Sequence, residues 1–165
     1  MATAKAKWSR KSAKRAASFI KSRLTDAEKI ELCGSYRRGC DSVGDLDFVV
    51  VPKRGSEQKI VNQIHGLAKE VLADGQNTIR IVGKSGIQAD FMIVRKDNFE
   101  SAVLHSTGDK WFNIQCRARA KMRGFKLNQY GLFDKETNKR LAKTELGILE
   151  SISMSRFINP KDRSM

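Results

Sequence analysis

"CGSYRRGCDSVGDLDFVV", residues 33–50, sets a glycine–serine turn, two arginines and a pair of aspartates ahead of an apolar run. Phe48 to Val51 is rich in β-branched residues and stops at Pro52, which predicts a strand. Residues i and i+2 of a strand share a face. Asp45 and Asp47 therefore project together, while Leu46 points into the core. Two carboxylates this close repel unless something positive lies between them. Divalent magnesium takes hard oxygen ligands and prefers sites shared between carboxylates and substrate phosphates. Upstream, Gly34 lets the backbone approach a ligand. Backbone N–H groups at such a turn, with the Ser35 hydroxyl and an arginine, bind phosphate oxygens. The stretch thus predicts a phosphate cradle placed about ten residues before a metal pair.

Working outward, Asp90 interrupts the otherwise apolar "IQADFMIV" (87–94), where only Gln88 is also polar. A charge inside such a strand is costly unless it is paired or metal-bound. If this strand lies beside the Asp45/Asp47 strand, three carboxylates converge, enough for two metal ions about 4 Å apart and in-line nucleotidyl transfer.

The rest of the chain supplies a frame. Ala16, Phe19, Ile20 and Leu24 recur at helical spacing among basic residues, predicting an amphipathic basic helix over 9–24. A turn at 25–28 leads to a strand over 29–33. A helix is expected over 57–73, capped by Ser56 and stopped by Gly75. His65 on it reads as structural or solvent-facing. "TIRIVG" (78–83) and 87–94 are two strands around the Lys84-Ser85-Gly86 turn. Asp97 to Leu104 is a short helix or loop. Asp109 or Thr107 starts a helix ending at Gly124, on which Trp111 and Phe112 read as core. "FKLNQYGLFD" and "NKRLA" read as a hairpin, and Thr144 begins a short last helix.

Lys and Arg outnumber Asp and Glu 32 to 18 over the 165 residues, a net charge of +14. Residues 1–24 carry eight basic residues and no acid, residues 105–165 thirteen against six, and 25–104 eleven against twelve. Two basic flanks around a balanced middle suit a polyanion such as nucleic acid. No apolar run reaches the roughly 20 residues needed to span a bilayer, so no membrane role is expected. Cys33, Cys40 and Cys116 form no C-x-x-C pair, which fits a reduced, intracellular protein.

G-S-x-R-R-G followed by G-D-x-D, with a third Asp on a later strand, resembles the nucleotidyltransferase superfamily, and in particular the family X, DNA polymerase beta-like enzymes. "HSTGDKWFNIQCRARAKMRGFKLNQYGLFD" resembles the segment where that family checks the nascent base pair, and "NPKDR" its C-terminal end. The likeness covers roughly 30–165. It implies an α+β fold: a palm with a mixed β-sheet packed on helices (1–104, with the basic helix), and a small α/β C-terminal nucleotide-selecting lobe (105–165). It implies no lyase or helix-hairpin-helix domain, as in the reduced family X enzymes of a large DNA virus.

The resemblance also implies roles. Asp45, Asp47 and Asp90 would be catalytic and hold Mg2+, with Mn2+ as a substitute. Gly34, Ser35, Arg38 and Gly44 would hold the triphosphate. Thr107 and Gly108 would bend beside the incoming sugar, with His105 near the triphosphate or primer. Asn113 would face the incoming nucleotide and Arg117 the templating side; as an i, i+4 pair they share a helix face. Arg119, Lys121, Arg10 and Lys14 would add DNA contacts. His105-Ser106 departs from the family's Tyr-Phe, and Ala89 from a basic residue before the third aspartate. The implied function is a monomeric DNA-directed DNA polymerase acting on gapped or primer-template DNA with dNTPs, filling short gaps in repair. The competing reading is a template-independent nucleotidyltransferase acting on RNA, DNA or protein.

Overall fold

The computed structural model describes residues 6–164. Residues 1–5 of the expected palm and residue 165 of the expected lobe lie outside that span. The chain runs β1 (Trp8–Ser9), α1 (Arg10–Arg23), β2 (Ala27–Leu32), α2 (Gly34–Arg37), β3 (Ser42–Val43), β4 (Leu46–Pro52), α3 (Glu57–Leu67), β5 (Ala68–Asp74), β6 (Thr78–Gly83), β7 (Gln88–Ile93) and α4 (Phe99–Thr107). It continues through α5 (Lys110–Met122), β8 (Phe125–Asn128), β9 (Gly131–Asp134), β10 (Arg140–Ala142) and α6 (Glu145–Ser151). The fold is α+β, as expected.

The larger sheet has the order β2-β4-β7-β6-β5. Its β4–β7 pair is parallel and its other pairs antiparallel. Alternation along β4 splits the core in two. Leu46, Phe48 and Val50 pack with Ala13, Ala17 and Ile20 of α1 and with Ile60 and Ile64 of α3. Val49 and Val51 point the other way, onto Ala102 and Val103 of α4. The β4–β7 register is pinned by Phe48, which sits beside Phe91 with its ring stacked at 5.2 Å. Such a pair adds about 0.5–1.5 kcal/mol beyond area burial. A slip of one residue would turn every side chain of the strand to the opposite face, so the apolar alternation also fixes where the aspartates point.

The helix expected over 57–73 ends at Leu67. Ala68 is already extended, and residues 68–74 form β5, an edge strand paired with β6 from Ala68↔Gly83 to Asp74↔Ile79. The backbone groups of β6 would otherwise face water on that side, and pairing satisfies them. Val71 and Leu72 belonged to the apparent helical stripe; each is 45% exposed on the strand. Gly75 therefore belongs to the turn after β5, its N–H donating to the Thr78 carbonyl. Ser56 occupies the N-cap of α3 without a capping hydrogen bond; its hydroxyl meets Asp26 instead. His65 lies 3.1 Å from Asp74, a structural contact.

A third cluster forms where α5 and α6 pack on the β10-β9-β8 sheet, from Phe112, Cys116, Ala120, Leu132, Ile148, Leu149 and Ile152. Asp109 caps α5, its side chain accepting from the Phe112 N–H. Positions 112, 116 and 120 face inward at helical period. Trp111 falls off that stripe and is 60% exposed, so only Phe112 of the expected pair is core. The expected hairpin is three-stranded, because "FKLNQYGLFD" itself turns after Asn128 to form β8 and β9, and "NKRLA" supplies β10.

Candidate active site

The parallel β4–β7 pairing sets Asp47 directly beside Asp90. With Asp45 just before β4, one oxygen from each of the three carboxylates lies within 4.8 Å of the others. The convergence expected from sequence is therefore present. An all-oxygen, anionic donor set of this kind fits a hard divalent cation. Asp90 is also held by the protein. Arg80 on β6, its cross-strand neighbour, donates from Nε to Asp90 Oδ2 at 2.9 Å, with Nη2 at 2.8 Å from the same oxygen. Gln88 Nε2 donates to Oδ1 at 2.8 Å.

The cradle abuts these carboxylates. Gly34 opens the single turn α2 at φ +58°, and a Cβ there would stand 2.0 Å from Asp47 Oδ2. The Cys33 N–H donates to the Asp47 carbonyl at 2.7 Å. Glycine is thus required both by the dihedral and by the close approach. Ser35 and Gly44 are half-buried in the same stretch. Arg38 Nη1 donates to the Thr107 carbonyl at 2.6 Å, while its buried Nε has no partner among the described residues. A buried guanidinium N–H without an acceptor suits an anion.

A second arginine network was not legible in sequence. Arg37 makes a two-pronged contact with Glu145 at the start of α6, both hydrogen bonds 2.9 Å, and also donates to Thr107 Oγ1 at 3.0 Å. Fully buried Arg163 donates to Glu145 at 2.7 Å and to the carbonyls of Phe157 and Ile158. Burial alone pushes the Glu145 carboxyl up, but Arg37 and Arg163 outweigh it and hold it below its ordinary value of 4.5. The turn that presents Ser35 and Arg38 is thereby tied to the C-terminal elements. No sequence signal names the partners, since the three residues stand far apart in the chain.

Thr107 is buried, its hydroxyl donating to the Val103 carbonyl, and Gly108 has φ +66°, where a Cβ would stand 3.3 Å from Arg38 Nη1. His105, Asn113 and Arg117 line one small crevice with Leu104, Cys116 and Asn128. Asn113 Nδ2 donates to the His105 carbonyl at 2.8 Å, and Arg117 is exposed. Burial first, and the Arg117 charge second, push the His105 imidazole below its ordinary 6.5. Among the expected DNA contacts, Lys14, Arg119 and Lys121 are exposed. Arg10 is turned inward: Nη1 donates to the Tyr36 carbonyl at 2.7 Å and the Cys40 carbonyl at 3.3 Å, and the guanidinium lies 4.1 Å from the Tyr36 ring. It braces the cradle turn. The thiols of Cys33 and Cys116 are each pushed up to about 12 by burial, and neither thiolate is available near neutral pH.

Comparison with known proteins agrees with this geometry. The DNA polymerase beta palm family matches residues 9–121, and the DNA polymerase beta thumb family matches 102–164. The DNA polymerase/3'-5' exonuclease PolX of Bacillus subtilis is 31% identical over 120 residues, which cover 70% of this chain but 21% of that protein. The repair DNA polymerase X of African swine fever virus (isolate Warthog/Namibia/Wart80/1980) is 30% identical over 122 residues, 67% of each chain. The chain therefore spans about a fifth of the bacterial relative and two thirds of the viral one. The crystal structure of Leishmania infantum polymerase beta, a ternary P/T complex, superposes with a TM-score of 0.86 at 19% identity, over 97% of this chain and 77% of that one. With the palm model matched across most of its length, this chain belongs to the DNA polymerase beta family, family X.

Proposed function

We propose that the protein is a DNA-directed DNA polymerase that fills short gaps in DNA repair, joining a nucleotide from a dNTP to a primer 3'-hydroxyl. The observation that carries this is the convergence of Asp45, Asp47 and Asp90 beside a glycine–serine–arginine turn. Membership of family X and the relatives' names as DNA polymerases support it. The division between a palm (1–104) and a nucleotide-selecting lobe (105–165) is proposed on the separate buried cluster of the α5–α6 region and on the two matched families.

Asp45, Asp47 and Asp90 would hold Mg2+, or Mn2+ in its place. When bound, the ions lower the pKa of an attacking hydroxyl and neutralise the leaving pyrophosphate. The chain's own residues do the positioning. Gly34 lets the turn's backbone approach the triphosphate, Ser35 donates its hydroxyl, Arg38 offers its unpartnered Nε–H, and Gly44 leaves room beside them. Thr107 and Gly108 shape the sugar side, with neutral His105 near the phosphates or primer. The His105 carbonyl orients the Asn113 amide, whose second N–H and Oδ1 would meet the incoming nucleotide. Arg117 faces the template, and Lys14, Arg119 and Lys121 meet phosphates. Arg10 serves DNA binding indirectly, by holding the cradle. The enzyme acts as an intracellular monomer.

Magnesium-dependent primer extension on gapped DNA, with each dNTP and rNTP supplied separately, tests the reading. Incorporation of the templated dNTP is expected. Extension of equal rate without a template would favour terminal transfer, a reading that gains no support from the relatives' names.

A further inference from the structure

Arg80 lies outside every motif that marks the site, yet it forms an ion pair with the third carboxylate. It stands opposite Asp90 on the antiparallel neighbour β6, and its side chain is 48% exposed, against 18% for Asp90. Nε and Nη2 both address Asp90 Oδ2, at 2.9 and 2.8 Å, while Gln88 holds Oδ1 at 2.8 Å. Both Asp90 oxygens are thus engaged, although one oxygen from each of Asp45, Asp47 and Asp90 lies within 4.8 Å of the others. A guanidinium and a divalent cation at that carboxylate compete, because both draw on the same carboxylate charge and repel one another. Arg80 can leave: it is half-exposed, its side-chain hydrogen bond and ion pair are with Asp90, and Asp45 and Asp47 act on it through charge.

We propose that Arg80 is a built-in counter-ion and positioning residue of the carboxylate site. It holds Asp90 in place before a divalent cation binds, and it yields Oδ2 when the cation enters. The inference rests on the proposed cation-binding role of the three aspartates. Arg80 offsets the repulsion among the carboxylates in the cation-free protein, and it weakens cation binding in proportion. A site that binds the cation more weakly alone, and more tightly when nucleotide phosphates add their own negative charge, follows from this balance.

The test is Mn2+ binding to the full chain without DNA or nucleotide, read from the electron paramagnetic resonance signal of the unbound ion. At low ionic strength, Arg80→Gln is expected to tighten Mn2+ binding by about tenfold, from the loss of one charge a few ångströms away. Arg80→Lys, which keeps the charge, should stay within about threefold of the parent. The gain should shrink as salt rises. A residue of merely structural worth would give weaker binding on removal, so equal or weaker binding in Arg80→Gln overturns the proposal. Asp47→Asn separates the two claims. If it abolishes binding while Arg80→Gln fails to tighten it, the counter-ion role alone is wrong. If Asp47→Asn leaves binding unchanged, the cation site is wrong and the role of Arg80 falls with it.

Discussion

A Cβ on Gly34 would stand 2.0 Å from Asp47 Oδ2, and the φ of +58° lies in the left-handed region. Gly34→Ala should therefore cost about 1–2 kcal/mol in a urea unfolding curve for the backbone alone. Its larger effect should be on chemistry: displacement of Asp47 is expected to slow nucleotide incorporation at least about a hundredfold. Incorporation at the parent rate in a folded variant would contradict the contact. His105 gives a second prediction. Its folded-state pKa is depressed, by burial and then by Arg117. Its contribution to stability is thus complete above the ordinary 6.5 and is lost as pH falls through the lower folded value. Arg117→Ala removes only the second cause, so an NMR titration should find the His105 pKa raised but still below 6.5. The aspartates were legible in sequence because a charge in an apolar strand demands a reason. Arg80 was not, because its partner depends on which strand lies beside β7.

At the level of elements, α6 and the last turn of the chain meet the cradle through Glu145, which is 7% exposed between Arg37 and Arg163. Neutralising it leaves fully buried Arg163 without this counter-charge and Arg37 with only a 3.9 Å contact to Glu31. Glu145→Gln is expected to lower stability by about 3–5 kcal/mol, measured by urea denaturation at neutral pH. The pH dependence has a defined sign. Arg37 and Arg163 hold the carboxyl below 4.5, so the stabilisation is present above that value and is lost as pH falls through the folded pKa. The stability gap between parent and variant should narrow in acid; a constant gap would show that the charge is not what matters. Helix and strand patterns located most elements, including β6, β7 and α5. The segment after Leu67 defeated them: an apolar stripe at helical spacing continued there, but the open edge of β6 took the chain as β5. Pairing partners lie outside any local window, which is why such an exchange cannot be seen in one segment.

Over the whole molecule, a charge of +14 concentrated in the two flanks predicts DNA binding dominated by phosphate contacts. Replacing Lys14, Arg119 and Lys121 together with Ala should reduce the slope of log K against log salt by about 2–3 on duplex DNA. An unchanged slope, read by fluorescence anisotropy, would place the contacts elsewhere. Arg10 shows the limit of reading charge from sequence. It sits in the basic flank, yet it braces carbonyls of the cradle. The motifs and the basic flanks were legible along the chain, whereas the Arg37–Glu145–Arg163 tie between the cradle turn and the C-terminal elements appears only in three dimensions. The central claim is that Asp45, Asp47 and Asp90 form the reacting centre of a polymerase. Single-turnover incorporation of the templated dNTP on gapped DNA, with DNA affinity measured in parallel, tests it most directly. Asp90→Asn should lower the rate by about three orders of magnitude, roughly 4 kcal/mol in the barrier, and leave DNA affinity within about twofold of the parent. An unchanged rate in that variant would contradict the account.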